Sequence, residues 1–207
     1  MEYKWIIGLG HHLDMVHDAW CNAFPQLKIK KITVTQDSTY EFDLSALDSE
    51  LPKSGSAFVA IDERFGNFKR LELMEKIIES GFTLEPFISP HAWIAPTVHV
   101  GSNAWIGAGA MIDHQSHIDY NSVLLPGAKI GRNTKIGSSC WIESGAVVGN
   151  EVDVGSHCIL RNGSMISHGV KIGRNCELGW PQMYRKNIPP KTIFDGRYDA
   201  PIHTYEN

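Results

Sequence analysis

The sequence predicts a two-part chain, a small α/β unit followed by a parallel β-helix, and three observations predict it. The first is a six-residue period. Stepping by six from Ile88, one reads Ile88, Ile94, Val100, Ile106, Ile112, Ile118, Leu124, Ile130, Ile136, Ile142, Val148, Val154, Leu160, Ile166, Ile172 and Leu178, without gap or insertion. The second is its frame. Two places before each aliphatic, from Ala92 to Cys176, stands a small or β-branched residue, and one place after it glycine recurs at 101, 107, 131, 137, 149, 155, 173 and 179. The third is the different texture of residues 1–87, where strand and helix signals alternate around a glycine turn.

In chain order, Lys4–Gly8 reads as a short buried strand. The turn Gly8-Leu9-Gly10-His11-His12 leads into a helical pattern through Leu13, Val16, Ala19, Trp20 and Phe24, which Pro25 ends. Leu27–Thr35 and Ser56–Ile61 are the next strands, with a polar, loop-like stretch over 36–55 between them. A second helix runs from about Asn67 to Ser80, carrying Leu71, Met74, Ile77 and Ile78, with Gly81 in the position that closes helices. Strand, glycine turn, helix and strand make a small unit of the nucleotide-binding kind. A lone G-x-G fits a plain strand-to-helix turn equally well.

Neither a helix nor a plain strand can hold a six-step register, because their side-chain periods are 3.6 and 2. A hexapeptide repeat is the mark of a β-helix. Each unit supplies one short strand with an aliphatic side chain pointing inward, then a corner where glycine tolerates unusual φ. Three units make an eighteen-residue coil, and coils stack at roughly 4.8 Å. Residues 88–180 therefore form five coils, with every inward aliphatic resting on another. Cys140, Cys158 and Cys176 lie eighteen apart and stack as reduced, small hydrophobic residues. Trp105, Val123, Trp141 and Ile159 are also eighteen apart and point outward. Such an apolar stripe is expected at an interface. After Leu178 the rule breaks, so residues 181–207 read as a C-terminal extension.

The net charge of −4, with 23 acidic and 19 basic residues, leaves no basic footprint for nucleic acid. No apolar run approaches the length of a membrane span and no signal peptide is apparent, so membrane insertion is not expected and a cytoplasmic location is.

Several segments carry a more specific signal: Ile6-Ile7-Gly8-Leu9-Gly10-His11-His12, Phe58-Val59-Ala60-Ile61, Arg70, Gly81-Phe82, Ser89-Pro90-His91-Ala92, Gly109-Ala110-Met111-Ile112-Asp113-His114, Leu125-Pro126-Gly127-Ala128 and Lys186-Asn187-Ile188-Pro189. Together they resemble the bacterial sugar acetyltransferases that include sialic acid O-acetyltransferases and the N-acetyltransferases of nucleotide-linked amino sugars. The resemblance implies a left-handed coil, which the repeat alone does not fix and which crossover rules would not favour. It implies acetyl-CoA as co-substrate, no metal, a sugar acceptor and a homotrimer with each active site between two prisms.

By the same resemblance His114 is the catalytic base, in Ile112-Asp113-His114-Gln115, with Gln115 beside it where the family has an acid. A neutral imidazole suits the task, since an amine or hydroxyl attacking a thioester must lose a proton. The oxyanion donor falls at the backbone of Gly131 or Arg132. Acetyl-CoA phosphates are expected near Lys171, Arg174, Arg185 and Lys186, and the nucleotide near Gly8, Gly10, His11, His12 and Arg70. The sequence departs from the pattern at Gln115, at Val123 where a second histidine is common, and at His11 where the family prefers glycine.

Three alternatives stay open. His168, in Ile166-Ser167-His168, occupies the same corner phase as His114 three coils on, in a column completed by Arg132, Asn150 and Lys186. A non-catalytic trimeric relative would account for Gln115 and Val123. A zinc hydratase would use histidines such as His99 and His117, eighteen apart, with His91 and His114 nearby.

Overall fold

The structure, a computed structural model, describes residues 3–63 and 67–204. It divides into two compact units, Met1–Phe87 and Ile88–Asn207.

The first unit is a four-stranded parallel sheet of β1 (Tyr3–Gly8), β2 (Lys28–Thr33), β3 (Gly55–Ala60) and β4 (Thr83–Leu84), in the order β2-β1-β3-β4. Buried on both faces, β1 and β3 read as near-continuous apolar runs, as parallel strands covered by helices must. Helix α1 (Gly10–Ala23) buries Leu13, Val16 and Trp20, a helical spacing that makes one apolar face. Trp20 packs on Phe58 of β3, with ring centroids 6.0 Å apart. Helix α2 (Phe68–Glu79) sends Leu73, Met74 and Ile77 into the core that also holds Trp5, Ile7, Ala57 and Val59. Adjacent residues of a strand face opposite ways, so the two helices cover opposite faces of the sheet. Gly81, at φ +90°, closes α2: its N–H bonds the Ile78 carbonyl at 2.8 Å and Phe82 N–H reaches Ile77 at 3.2 Å. The 36–55 stretch is less loop-like than expected. It holds a short hairpin, Thr35–Gln36 with Phe42–Asp43, and single turns at Ser45–Leu47 and Pro52–Ser54.

The second unit is a left-handed parallel β-helix with three faces, here called the Trp105, Met111 and His117 faces after one strand of each. Pairing is parallel and eighteen residues in register, as in Ile112 on Ile130 on Val148. All the six-step aliphatics from Ile106 to Leu178 are buried, while Ile88, Ile94 and Val100 are half-buried because they belong to the first coil. Each inward side chain contributes roughly 1.5–3 kcal/mol. The small residues two places earlier also point inward, and several bond the next coil: Ser122 Oγ donates to the Gly137 carbonyl at 2.7 Å, and Cys140 Sγ to that of Gly155 at 3.1 Å. All four cysteines are free thiols.

Three expectations are corrected. The glycines one place after each aliphatic are not there for unusual φ. A Cβ on Gly131 would lie 2.6 Å from the Gly149 carbonyl carbon, and one on Gly137 2.8 Å from that of Gly155. They allow the next coil to approach. The left-handed residue comes two places later: from Asn103 to Asn175 every sixth residue has φ between 52° and 78°. Second, Trp105, Val123, Trp141 and Ile159 are only 7, 1, 4 and 6% exposed, so the chain itself covers them and they offer no free stripe. The exposed apolar stripe lies on the Met111 face instead, at Trp93, Met111, Val147, Met165 and Met183.

The third correction concerns residues after 180. Met183–Tyr184 pairs with Met165–Ile166, Ile188 bridges Ile172, and Thr192–Phe194 pairs with the strand at Glu177–Leu178. Tyr184 and Ile188 are buried in the prism core and Phe194 packs against it, so coiling continues with a shortened spacing. Ile202–His203 then pairs antiparallel with Thr192–Ile193. Residues 205–207 of the tail lie outside the described residues.

Candidate active site

His114 stands on the corner between the Met111 and His117 faces, in the turn after the buried Ile112. The corner is tied at several points. Asp113 Oδ1 accepts the His114 N–H at 2.7 Å, and Asn133 of the next coil donates to the His114 carbonyl at 2.8 Å. Ser116 Oγ donates to the Gly131 carbonyl at 2.8 Å. Gln115 takes the left-handed turn position at φ +60°. The imidazole itself is exposed, edge-on to Trp93 at 6.4 Å between centroids. Its Nδ1 lies 3.3 Å from Thr97 Oγ1, and that oxygen also accepts the Gln115 N–H at 2.8 Å.

Thr97 is the residue that sequence reasoning missed. Gln115, which stands where the family has an acid, takes part through its backbone N–H, by way of Thr97. The signal was available in the eighteen-residue period, which puts Thr97 directly beneath Gln115.

His168 shares the edge but not the setting. Asn150 N–H donates to its Nδ1 at 2.9 Å, and Asn150 Oδ1 in turn accepts Arg132 N–H at 3.1 Å. A backbone N–H can only donate, so His168 carries its proton on Nε2 and its Nδ1 lone pair holds the corner together.

Of the two expected oxyanion donors, Gly131 is ruled out, because its N–H is spent on the Val148 carbonyl at 2.8 Å in the sheet ladder. Arg132 N–H bonds a side-chain oxygen, that of Asn150 at 3.1 Å, and not a rung of the sheet ladder. The expected acetyl-CoA residues are divided. Lys186 tops the His114 column and, with Arg185, Tyr184, Phe194 and His203, lines a cavity of about 440 Å³. Lys171 lies on the His117 face, and Arg174 on the corner beyond it.

In the first unit, Gly10 (φ +66°) opens α1 just past the end of β1. The sheet order reverses between β1 and β3, and the carboxyl ends of strands at such a point form a ligand crevice. His12 sits there half-buried. Burial, then the nearby Arg70 charge, pushes its pKa down to about 4, while Asp62 pulls the other way and His11 adds a smaller lowering. Arg70 is fully buried, its guanidinium 5.6 Å from the Phe58 ring, with a pKa pushed down to about 9 by burial. Two of the expected nucleotide residues are therefore reassigned. Gly8 serves strand packing, since a Cβ there would meet the Ala60 oxygen at 1.9 Å, and Arg70 reaches no solvent.

The expected histidine group does not converge. His99 and His117 rings stack at 4.5 Å on the His117 face, while His91 lies on a different corner from His114. Among the described residues no three His, Cys, Asp or Glu side chains are placed to hold a metal.

A family model for the GMPPB C-terminal domain matches residues 83–179. Among curated proteins none matches the chain. Of solved structures, PerB from Caulobacter crescentus, in complex with CoA and GDP-perosamine, is 25% identical over 93% of both chains, with a TM-score of 0.81. The acetyltransferase domain of PglB from Neisseria gonorrhoeae is 20% identical over 98% of this chain and 100% of its own, with a TM-score of 0.70. WeeI from Acinetobacter baumannii is similar in fold, at 16% identity over 98% of this chain and 100% of its own, with a TM-score of 0.73. In its repeat, its two units and this match along nearly its whole length, the chain is similar to the hexapeptide-repeat sugar acetyltransferases.

Proposed function

We propose that the chain transfers an acetyl group from acetyl-CoA to an amine of a nucleoside-diphosphate-linked amino sugar, in the biosynthesis of a surface glycan. The observation that carries this is the setting of His114: an exposed imidazole held at Nδ1 only, on the same prism edge as Arg132 and the basic Lys186 cavity. The PerB complex, with CoA and GDP-perosamine, supports the choice of acceptor.

The chemistry follows from the groups present. His114 Nε2 takes the proton from the acceptor nitrogen as that nitrogen attacks the thioester carbonyl carbon. The C–S bond breaks as the tetrahedral intermediate collapses, and the imidazolium returns the proton to the departing thiolate. Arg132 N–H is the donor for the oxyanion once Asn150 releases it. Arg185 and Lys186 meet the phosphates of acetyl-CoA, with the aromatic walls of Tyr184 and Phe194 beside its base. The crevice over β1 and β3, with Gly10, His11 and His12, takes the nucleotide of the acceptor.

A homotrimer fits this reading. Trp93 to Met183 on the Met111 face is an apolar stripe of the kind that interfaces cover, and it borders the His114 corner. Cytoplasmic residence suits a protein using acetyl-CoA, and among the described residues no helix is long and apolar enough to cross a membrane.

The test is a panel of nucleotide-linked amino and neutral sugars incubated with acetyl-CoA, following free thiol release and product mass. Acetylation of an amino sugar with one thiol released per product is expected. Acetyl-CoA binding with no turnover on any acceptor would point instead to a binding protein. Light scattering at micromolar concentration reads the trimer.

A further inference from the structure

We propose that Thr97 is a positioning residue for His114, supplying through a neutral hydroxyl what a carboxylate would otherwise supply. The inference rests on the acetyl-transfer reading above. Three observations carry it. Thr97 Oγ1 lies at hydrogen-bond distance from His114 Nδ1, at 3.3 Å. The same oxygen is anchored by the Gln115 N–H at 2.8 Å, so its place is set by backbone rather than by a free rotor. And Gln115, at φ +60°, contributes that N–H while its left-handed turn conformation keeps the corner fixed.

A hydroxyl oxygen has two lone pairs. One receives Gln115 N–H; the other receives Nδ1–H of His114, and the hydroxyl proton of the exposed Thr97 turns to solvent. Which ring nitrogen carries the proton is decided by the hydrogen bond that the other makes. With Nδ1–H directed at Thr97, the lone pair on Nε2 points outward, where the acceptor's proton must arrive. Contacts of this kind are long in a ligand-free site and tighten around substrate. A neutral partner orients the ring without stabilising its charged form, so the imidazolium forms less readily than beside a carboxylate.

The experiment combines kinetics with ¹⁵N NMR of the imidazole, assigned by its loss in His114→Ala. In the wild type at alkaline pH the Nδ1–H form is expected. Thr97→Val should lower kcat about 10–100-fold with KM for acetyl-CoA unchanged, and should move the proton to Nε2. Thr97→Ser should restore both. Thr97→Asp keeps an oxygen at the corner and adds charge, so the acid limb of the pH profile should move upward by about one unit. If His114→Ala keeps full turnover, the base assignment fails and the Thr97 role with it. If His114→Ala is inactive while Thr97→Val retains the rate and the Nδ1–H form, or Thr97→Asp leaves the acid limb in place, the Thr97 role alone is overturned.

Discussion

The Asn150 N–H donates to His168 Nδ1 at 2.9 Å, and this one bond separates two histidines that the repeat makes equivalent. Among the described residues the His114 ring meets a side-chain hydroxyl, Thr97 Oγ1, where His168 meets a backbone donor, and its imidazole stays exposed. His114→Ala should therefore lower the acetylation rate by roughly 10²–10⁴-fold, with an unchanged melting temperature. His168→Ala should do the reverse, costing about 1 kcal/mol of stability and little rate. Steady-state rates and melts of the two variants decide it; equal rate losses would contradict the assignment.

Two glycines four residues apart test the two roles of glycine in the corner. Gly131→Ala must push its Cβ against the backbone of the next coil, 2.6 Å from the Gly149 carbonyl carbon, and should cost about 3 kcal/mol. Gly127 has φ +76° and nothing within 4 Å of a Cβ, so Gly127→Ala should cost only about 1 kcal/mol. Gly127→Asn should recover most of that, because asparagine tolerates the left-handed conformation, whereas Gly131→Asn should recover nothing. Denaturant unfolding of the four variants measures this.

Ser164 offers a stabilising change. Its hydroxyl is buried without a hydrogen-bond partner, whereas Ser116, Ser122 and Thr134 each donate to a carbonyl of the next coil. The positions one, two and three coils below it are Ala146, Ala128 and Ala110. Ser164→Ala should raise stability by about 1 kcal/mol, read as a higher denaturation midpoint. The same change at Ser122, which loses a 2.7 Å bond, should lower it.

His12 makes the first unit acid-sensitive. Burial, with Arg70 next, brings its folded-state pKa to about 4 from an ordinary 6.5. Between those values the unfolded chain takes up a proton that the native chain refuses. The stability is thus complete above pH 6.5 and is lost as pH falls through the window, by about 3 kcal/mol in all. His12→Gln should flatten the difference between unfolding at pH 4.5 and pH 7.5, and an unchanged pH dependence would show that the histidine is protonated in the native state.

The repeat was legible because it is one-dimensional. A residue's place in a coil depends only on its number modulo eighteen, so Ile112 over Ile94 and the stacked cysteines could be read without coordinates. The breakdown after Leu178 was misread for the same reason: the spacing shortens to four between Tyr184 and Ile188, and a fixed period cannot follow a coil that shortens its step. The site was half legible. His114 and Lys186 fall on one edge by number alone, as does Thr97 beneath Gln115, but counting does not say which atoms bond.

By itself the sequence determined the prism, its inward residues, the α/β unit ahead of it and the histidine edge, because these follow from periodicity and burial, which are properties of order along the chain. Only the tertiary structure decided which outward stripe is free, the Met111 face and not the Trp105 face, because exposure depends on what else in the chain covers a surface. It also decided that Gly131 N–H is spent in the ladder, that Arg70 is sealed from solvent, and that His114 leans on Thr97 while His168 is locked by Asn150. Hydrogen bonds are settled within a few tenths of an ångström, a scale that residue order does not encode.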